Sequence, residues 1–107
     1  SFLRYPPRGS RSYGPTRIGV AHGLAQYSRE ANDLVLGFAM IETAEGMRNL
    51  DAIAATPGID GLYIGPSDLS ISLSSGRLAP GFDREEPQMI EAFKTIREAA
   101  HRNGIKA

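Results

Sequence analysis

Two short apolar runs, each followed by a helical pattern, constrain the fold of this chain more than any other feature. The first covers residues 34–41 and is followed by Glu42, and the second covers residues 61–65. Both have the length of a strand, and an unbroken apolar run is typical of a parallel strand that is buried on both faces. Strands that alternate with helices predict βαβ units, so we expect an α/β fold with a parallel sheet.

Helical patterns lie before, between and after these runs. Apolar residues at helical spacing predict a short helix around 22–31. We expect Asn32 and Asp33 to end it. A second helix is expected after Thr43, a good N-cap, and should end at Pro57. A third helix is expected to begin at Pro87, because proline suits the first turn of a helix.

Two further segments complete the prediction. Residues 70–86 show no sustained periodicity, and we expect a long loop there with at most a short helical turn at its start. Residues 103–107 are typical of a helix end followed by the start of another strand. The chain also lacks an initiating methionine, so we expect it to be a fragment of a longer protein.

Composition narrows the classes of function. The 107 residues include 12 basic and 12 acidic side chains, a balance that argues against nucleic-acid or anionic-lipid partners. The chain has no cysteine, which excludes disulfides, thiolate catalysis and cysteine-ligated metal centres. No apolar run approaches the ~20 residues that a membrane span needs. We therefore expect a cytoplasmic protein with neither nucleic-acid nor membrane partners.

Two acidic residues follow the predicted strands closely and are the strongest candidates for chemistry. Glu42 comes directly after the first run, and Asp68 lies in the turn after the second. Because parallel strands place their carboxyl ends at one edge of a sheet, we expect the two carboxylates to converge there. Such a pair suits Mg²⁺ or Mn²⁺ and leaves about four octahedral positions for substrate and water. Each acid alone also fits the role of a helix cap.

The turn Gly65-Pro66-Ser67-Asp68 is a second candidate feature. Glycine lets the backbone approach a ligand closely, and proline suits the first position of a helix. The backbone N–H groups of Ser67 and Asp68 would then be free to bind a carboxylate. A 2-oxo acid chelated to a metal beside them would fit. The alternative is that Ser67 or Asp68 is an ordinary N-cap.

The sequence blocks at 40–46, 49–53, 57–61 and 64–70 together resemble the HpcH/HpaI family of metal-dependent, class II pyruvate aldolases. The resemblance implies a (β/α)8 barrel, of which this chain would be a part. It also implies cleavage of 4-hydroxy-2-oxo acids to pyruvate and an aldehyde through an enolate. A divalent cation (Mg, Mn or Co) would stabilise that enolate as a Lewis acid. The family further implies a homo-oligomer for the full-length protein.

The resemblance also extends to individual residues of the candidate site. Glu42 and Asp68 match the family's metal ligands, while Ser67 and Asp68 match the positions whose N–H groups hold the pyruvate carboxylate. The family's catalytic His and Arg belong to earlier strands, outside this chain. A barrel needs about 250 residues, so we expect the chain to run from the loop after strand 4 to the onset of strand 7.

Some features depart from the family pattern and keep alternatives open. Met40 stands where the family often has a glutamine that contacts substrate, and Ser74-Ser75 stand where it usually has glycine. One alternative is a citryl- or malyl-thioester lyase or a decarboxylating enzyme that forms carbon–carbon bonds on the same scaffold. Another is an inactive barrel that acts as a binding module.

Overall fold

The computed structural model describes residues 2–107, which fall into two compact units divided after Gly37. In chain order the elements are α1 (Thr16–His22), α2 (Leu24–Leu34), β1 (Phe38–Ile41), α3 (Ala44–Arg48), α4 (Leu50–Ala54), β2 (Gly61–Ile64), α5 (Pro66–Ser74) and α6 (Pro87–Arg102). Within residues 2–107, no helix combines the length and the apolar character needed to cross a membrane.

The first unit holds α1 and α2 around a small aromatic core. Tyr5 and Tyr27 are buried there with ring centroids 6.4 Å apart. The side chain of Asn32 accepts from the Tyr5 N–H at 2.7 Å and donates to the Tyr5 carbonyl oxygen at 3.2 Å. Because this amide is engaged with another segment, it does not end the helix as predicted. The helix continues to Leu34, and the break lies earlier, at Gly23 with φ 76°.

The second unit contains a parallel pair of strands. Phe38 of β1 lies opposite Gly61 of β2, and the register continues to Ile41 opposite Ile64. The prediction of parallel strands is therefore confirmed, but β1 is shorter than the apolar run, because Leu34 ends the preceding helix and residues 35–37 form the connection to the strand.

The pair of strands buries only one face within this chain. The side chains of Ile41 and Leu62 are buried, whereas those of Phe38, Met40 and Tyr63 are between 53% and 59% exposed. The predicted burial of both strand faces is thus not reached by the described residues alone.

The helix predicted after Thr43 is interrupted. The Thr43 side chain does cap α3, since its Oγ1 accepts from the Gly46 N–H at 2.9 Å. At Asn49 the backbone leaves the helical region (φ −100°, ψ 12°), and the Asn49 side chain donates to the carbonyl oxygen of Glu45 at 3.1 Å. An asparagine that bonds to nearby backbone competes with helix continuation, which explains the separate helix α4.

The loop predicted for 70–86 begins later than expected, because α5 extends to Ser74. Ser70 and Ser74 are buried, and their hydroxyls donate to the carbonyl oxygens of Ser67 at 2.7 Å and Ile71 at 3.4 Å. These internal bonds satisfy hydroxyls that otherwise make serine unfavourable inside a helix. The helix ends at Ser75, which adopts a left-handed conformation with φ 54°.

The predicted third helix and the start of a further strand are both confirmed. Helix α6 runs from Pro87 to Arg102 and packs its apolar stripe against the sheet and α4. Lys106 then forms a parallel bridge with Gly61, and its carbonyl oxygen accepts from the Leu62 N–H at 2.7 Å. The buried core of the second unit comprises Ile41, Leu50, Ala54, Leu62, Leu69, Met89, Ala92, Ile96, Ala99 and Ala100.

Candidate active site

The carboxyl ends of β1 and β2 open into a cleft of about 530 Å³. Glu42 and Asp68 both line this cleft, as does the whole turn from Gly65 to Asp68. The structure therefore brings all the predicted site residues to one place. The remaining lining residues are Met40, Tyr63, Ile64 and Phe82.

Strand register explains why Glu42 and the turn are neighbours. The last paired residues are Ile41 and Ile64, and the Gly65 N–H donates to the Ile41 carbonyl oxygen at 3.1 Å. Glu42 and Gly65 are thus the next residues on two adjacent strands. Helix α5 begins at once with Pro66, which places Asp68 in its first turn.

A glycine is needed at position 65 for this arrangement. A Cβ atom there would lie 2.9 Å from the Cβ of Glu42 and 3.1 Å from its Oε2. Cβ atoms essentially never make contacts shorter than 3.0 Å with other residues. The half-buried Glu42 side chain therefore occupies space that is available only because residue 65 has no side chain.

The first turn of α5 offers donors to the cleft. The first hydrogen bond of the helix runs from the Leu69 N–H to the Gly65 carbonyl oxygen at 2.9 Å. The N–H groups of Ser67 and Asp68 come before Leu69, so they have no acceptor within the helix. Gly65 holds the N-cap position, which excludes Ser67 and Asp68 from that role. Asp68 is exposed and lies where an acid interacts favourably with the helix dipole.

A contact that the sequence analysis missed joins the segments that carry the two acids. The N–H of Ala44 donates to the Ser72 hydroxyl at 2.8 Å. Ala44 follows Glu42 by two residues, and Ser72 lies one helical turn beyond Asp68. Ser72 shares the i, i+4 face of α5 with Asp68, and that spacing was the available signal.

Two aromatic residues of the cleft were also missed. Tyr63 is 59% exposed and Phe82 is 79% exposed. Tyr63 pairs with Met40 across the strands, so both side chains emerge on the same sheet face. Phe82 belongs to a segment without periodicity, so no pattern predicted its position. The one indication in the sequence is that it is a large apolar residue among polar ones.

The donor set is chemically suited to a hard divalent cation. Within residues 2–107, no group of three or more His, Cys, Asp or Glu side chains is arranged to hold a metal ion. The cleft instead supplies one pair of carboxylates. Magnesium is commonly held by one or two carboxylates and keeps substrate and water oxygens in its other positions, so the pair fits such an ion.

Comparison with known proteins identifies the scaffold. The HpcH/HpaI aldolase/citrate lyase family model matches residues 1–107. The chain belongs to this family. This HpcH/HpaI segment therefore carries a lyase family's fold, and the resemblance seen in its sequence blocks is confirmed.

Individual relatives support the same family assignment. A hydroxypyruvate/pyruvate aldolase of Rhizorhabdus wittichii is 44% identical over 104 residues, which cover 97% of this chain and 40% of that protein. An HpcH/HpaI family structure from Burkholderia cenocepacia is 32% identical with a TM-score of 0.76, over 96% of this chain and 40% of that one. Macrophomate synthase is 34% identical with a TM-score of 0.72, over 96% of this chain and 37% of that one.

These matches identify the type of fold and show how much of a relative's length the chain spans. The segment has the α/β architecture of the HpcH/HpaI barrels, which confirms the prediction of a partial (β/α)8 barrel. It spans 40% of the length of the Rhizorhabdus relative, so it is a fragment of a full protein.

Proposed function

We propose that Glu42 and Asp68 bind a divalent cation in a metal-dependent aldolase that cleaves 4-hydroxy-2-oxo acids to pyruvate and an aldehyde. The observation that carries this proposal is their shared cleft at the carboxyl ends of two adjacent parallel strands. Because the chain spans 40% of its aldolase relative, the activity is proposed for the full-length protein.

The turn at the start of α5 is proposed to hold the substrate carboxylate. Helix α5 has nine residues, and the N–H groups of Ser67 and Asp68 lie at its amino end. Anions bind favourably there because the donors and the helix dipole act together. Gly65 and Pro66 contribute by shape, since the first admits close approach and the second sets the helix start.

The proposed reaction breaks the bond between C3 and C4 of the substrate. The C4 hydroxyl loses its proton to a base, the C3–C4 electron pair moves towards the C2 keto group, and C3 takes up a proton to give pyruvate. A bound divalent cation supplies Lewis-acid stabilisation of the negative charge on the keto oxygen. His22 and His101 are absent from the lining of the described cleft. The base is therefore expected from other strands of the full protein.

Substitution of the two acids in the full-length protein tests the proposal. Glu42→Gln and Asp68→Asn keep the side-chain shape and remove one negative charge each. We expect each to lower Mn²⁺ affinity by more than about a hundredfold, because changes to outer-shell partners alone cost about 10–100-fold. Isothermal titration with Mn²⁺, Mg²⁺ and Co²⁺ and an assay of pyruvate release measure the effects.

A matched control is Glu98→Gln, which changes an exposed acid on α6 that does not line the described cleft. It should leave metal affinity and turnover unchanged. Wild-type metal affinity in both site variants would reject Glu42 and Asp68 as ligands.

A different reaction on the same scaffold is the second candidate. Met40 lines the cleft where a polar substrate contact is common in the family, and three structural matches are named as synthases, macrophomate synthase and two structures of a citrate synthase. This favours testing a citryl- or malyl-thioester lyase and a decarboxylating, bond-forming enzyme. Assays with free oxo acids, thioester substrates and oxaloacetate distinguish these activities. An inactive binding module would show no exchange of pyruvate methyl protons with deuterium, even with metal present.

We propose a cytoplasmic enzyme that acts on a small 2-oxo acid and forms a homo-oligomer. Sedimentation of the full-length protein measures its assembly.

A further inference from the structure

The cleft that holds the two acids also has a large apolar wall. Met40, Tyr63 and Phe82 contribute side chains that are 53%, 59% and 79% exposed. They come from β1, β2 and the loop between α5 and α6. Within residues 2–107, none of the side chains lining this cleft is basic.

The apolar side chain of Met40 lies next to the carboxylate of Glu42. A Cβ placed on Gly65 would lie 3.1 Å from Oε2 of Glu42 and 3.4 Å from Sδ of Met40. The carboxylate and the thioether therefore flank the same glycine. A complete barrel packs side chains against the strand face of Met40 and Tyr63, so a substrate whose oxo-acid end lies at the turn would extend its other end towards Phe82, the lining residue that lies in a loop.

Phe82 sits on a loop that is held in place. Arg84 is largely buried, with 13% of its side chain exposed, and its Nη1 donates to the Ala79 carbonyl oxygen at 2.6 Å. Its Nη2 lies 3.2 Å from Oε1 of Glu86. Upstream, the Ser74 hydroxyl accepts from the Leu78 N–H at 2.9 Å. Arg84 thus closes the segment 79–84, and Phe82 projects from it into the cleft.

We propose that Phe82 determines specificity by favouring substrates whose aldehyde-derived end is apolar, alkyl or aromatic, over those that end in a second carboxylate. An exposed aromatic ring gains by covering apolar ligand surface. A second carboxylate would lose hydration against that ring and gain no apolar contact in return, which is unfavourable. The inference deepens the proposed function and rests on it for the reaction, but not for binding.

The test uses the full-length, Mn²⁺-loaded protein and three variants: Phe82→Ala, Phe82→Leu and Phe2→Ala. Phe2 is an 86% exposed aromatic residue of the first unit and serves as the control. One readout is kcat/KM for addition of pyruvate to hexanal and to glyoxylate. The other is equilibrium binding of 2-oxooctanoate and 2-oxoglutarate.

We expect Phe82→Ala to lower kcat/KM with hexanal and affinity for 2-oxooctanoate by about tenfold, and to change the charged compounds by less than about twofold. Phe82→Leu should restore most of the loss, and Phe2→Ala should change neither. An equal fall for apolar and charged compounds, or an unchanged ratio, would overturn the inference.

The two proposals fail in different ways. Absence of any carbon–carbon cleavage or formation in the wild-type protein counts against the proposed function. The binding measurements still decide the role of Phe82 in that case, because a preference for 2-oxooctanoate that Phe82→Ala abolishes requires no turnover.

Discussion

Glu42 and Gly65 are packed so closely that a methyl group on the glycine would lie 2.9 Å from the Cβ of Glu42. The contact arises from strand register, since each residue directly follows the paired Ile41 and Ile64. The position of the Glu42 carboxylate therefore depends on the absence of a side chain in the facing turn.

Replacing that glycine should displace the acid. In the full-length protein we expect Gly65→Ala to lower Mn²⁺ affinity by about tenfold or more and to cost about 1–3 kcal/mol of stability through overpacking. Titration calorimetry and urea unfolding measure the two effects. Gly14→Ala is the matched control, because a Cβ there meets nothing within 4 Å. Equal metal affinity in both variants would show that Glu42 does not need this space.

Removing the Ser72 hydroxyl should loosen the connection between the two acidic segments. Ser72→Ala leaves the Ala44 N–H without its acceptor, now 2.8 Å away. We expect a loss of about 1–3 kcal/mol in the free energy of unfolding, the cost of an unsatisfied, partly buried donor. Ser28→Ala, whose exposed hydroxyl bonds only locally to the Ala25 carbonyl oxygen, should cost much less. Similar losses for the two variants would mean that the contact adds no stability.

The core beneath the turn should be sensitive to truncation. Leu69 follows Asp68 directly and is fully buried, whereas Ile71 on the same helix is 38% exposed. We expect Leu69→Ala to cost about 2–5 kcal/mol, because it removes packed methyl groups and leaves a cavity. Ile71→Ala should cost clearly less. Chemical denaturation of the full-length variants gives both values, and equal costs would contradict the difference in burial between Leu69 and Ile71.

The isolated 107-residue segment should be inactive and prone to association. Its strand face exposes Phe38, Met40 and Tyr63, and a parallel sheet of two strands has open edges. Analytical ultracentrifugation of the segment should show association that depends on concentration, and it should release no pyruvate. A monomeric segment that melts sharply and turns over substrate would refute this expectation.

The local sequence was sufficient to predict those elements that are determined by interactions within a short segment. The apolar runs before Glu42 and at 61–65 predicted parallel strands, and Thr43 predicted a helix start, because periodicity and capping act within a few residues. The sequence order of strand, acid and turn also predicted that Glu42 and Asp68 would share one sheet edge, since parallel strands align their carboxyl ends.

The tertiary structure decided where one helix ends, which residues are buried and which loop residue reaches the cleft. Asn32 does not end its helix because its amide bonds to Tyr5, and Ser70 is buried where a loop was expected. The burial of Leu69 and the position of Phe82 in the cleft likewise follow from packing and from the anchored loop around Arg84. Asn32 bonds to a residue 27 positions away, and the burial of Ser70 and Leu69 depends on packing against other elements, so the free energies of these interactions leave no local pattern in the sequence. The Arg84 bond spans only five residues, but it belongs to a segment without periodicity.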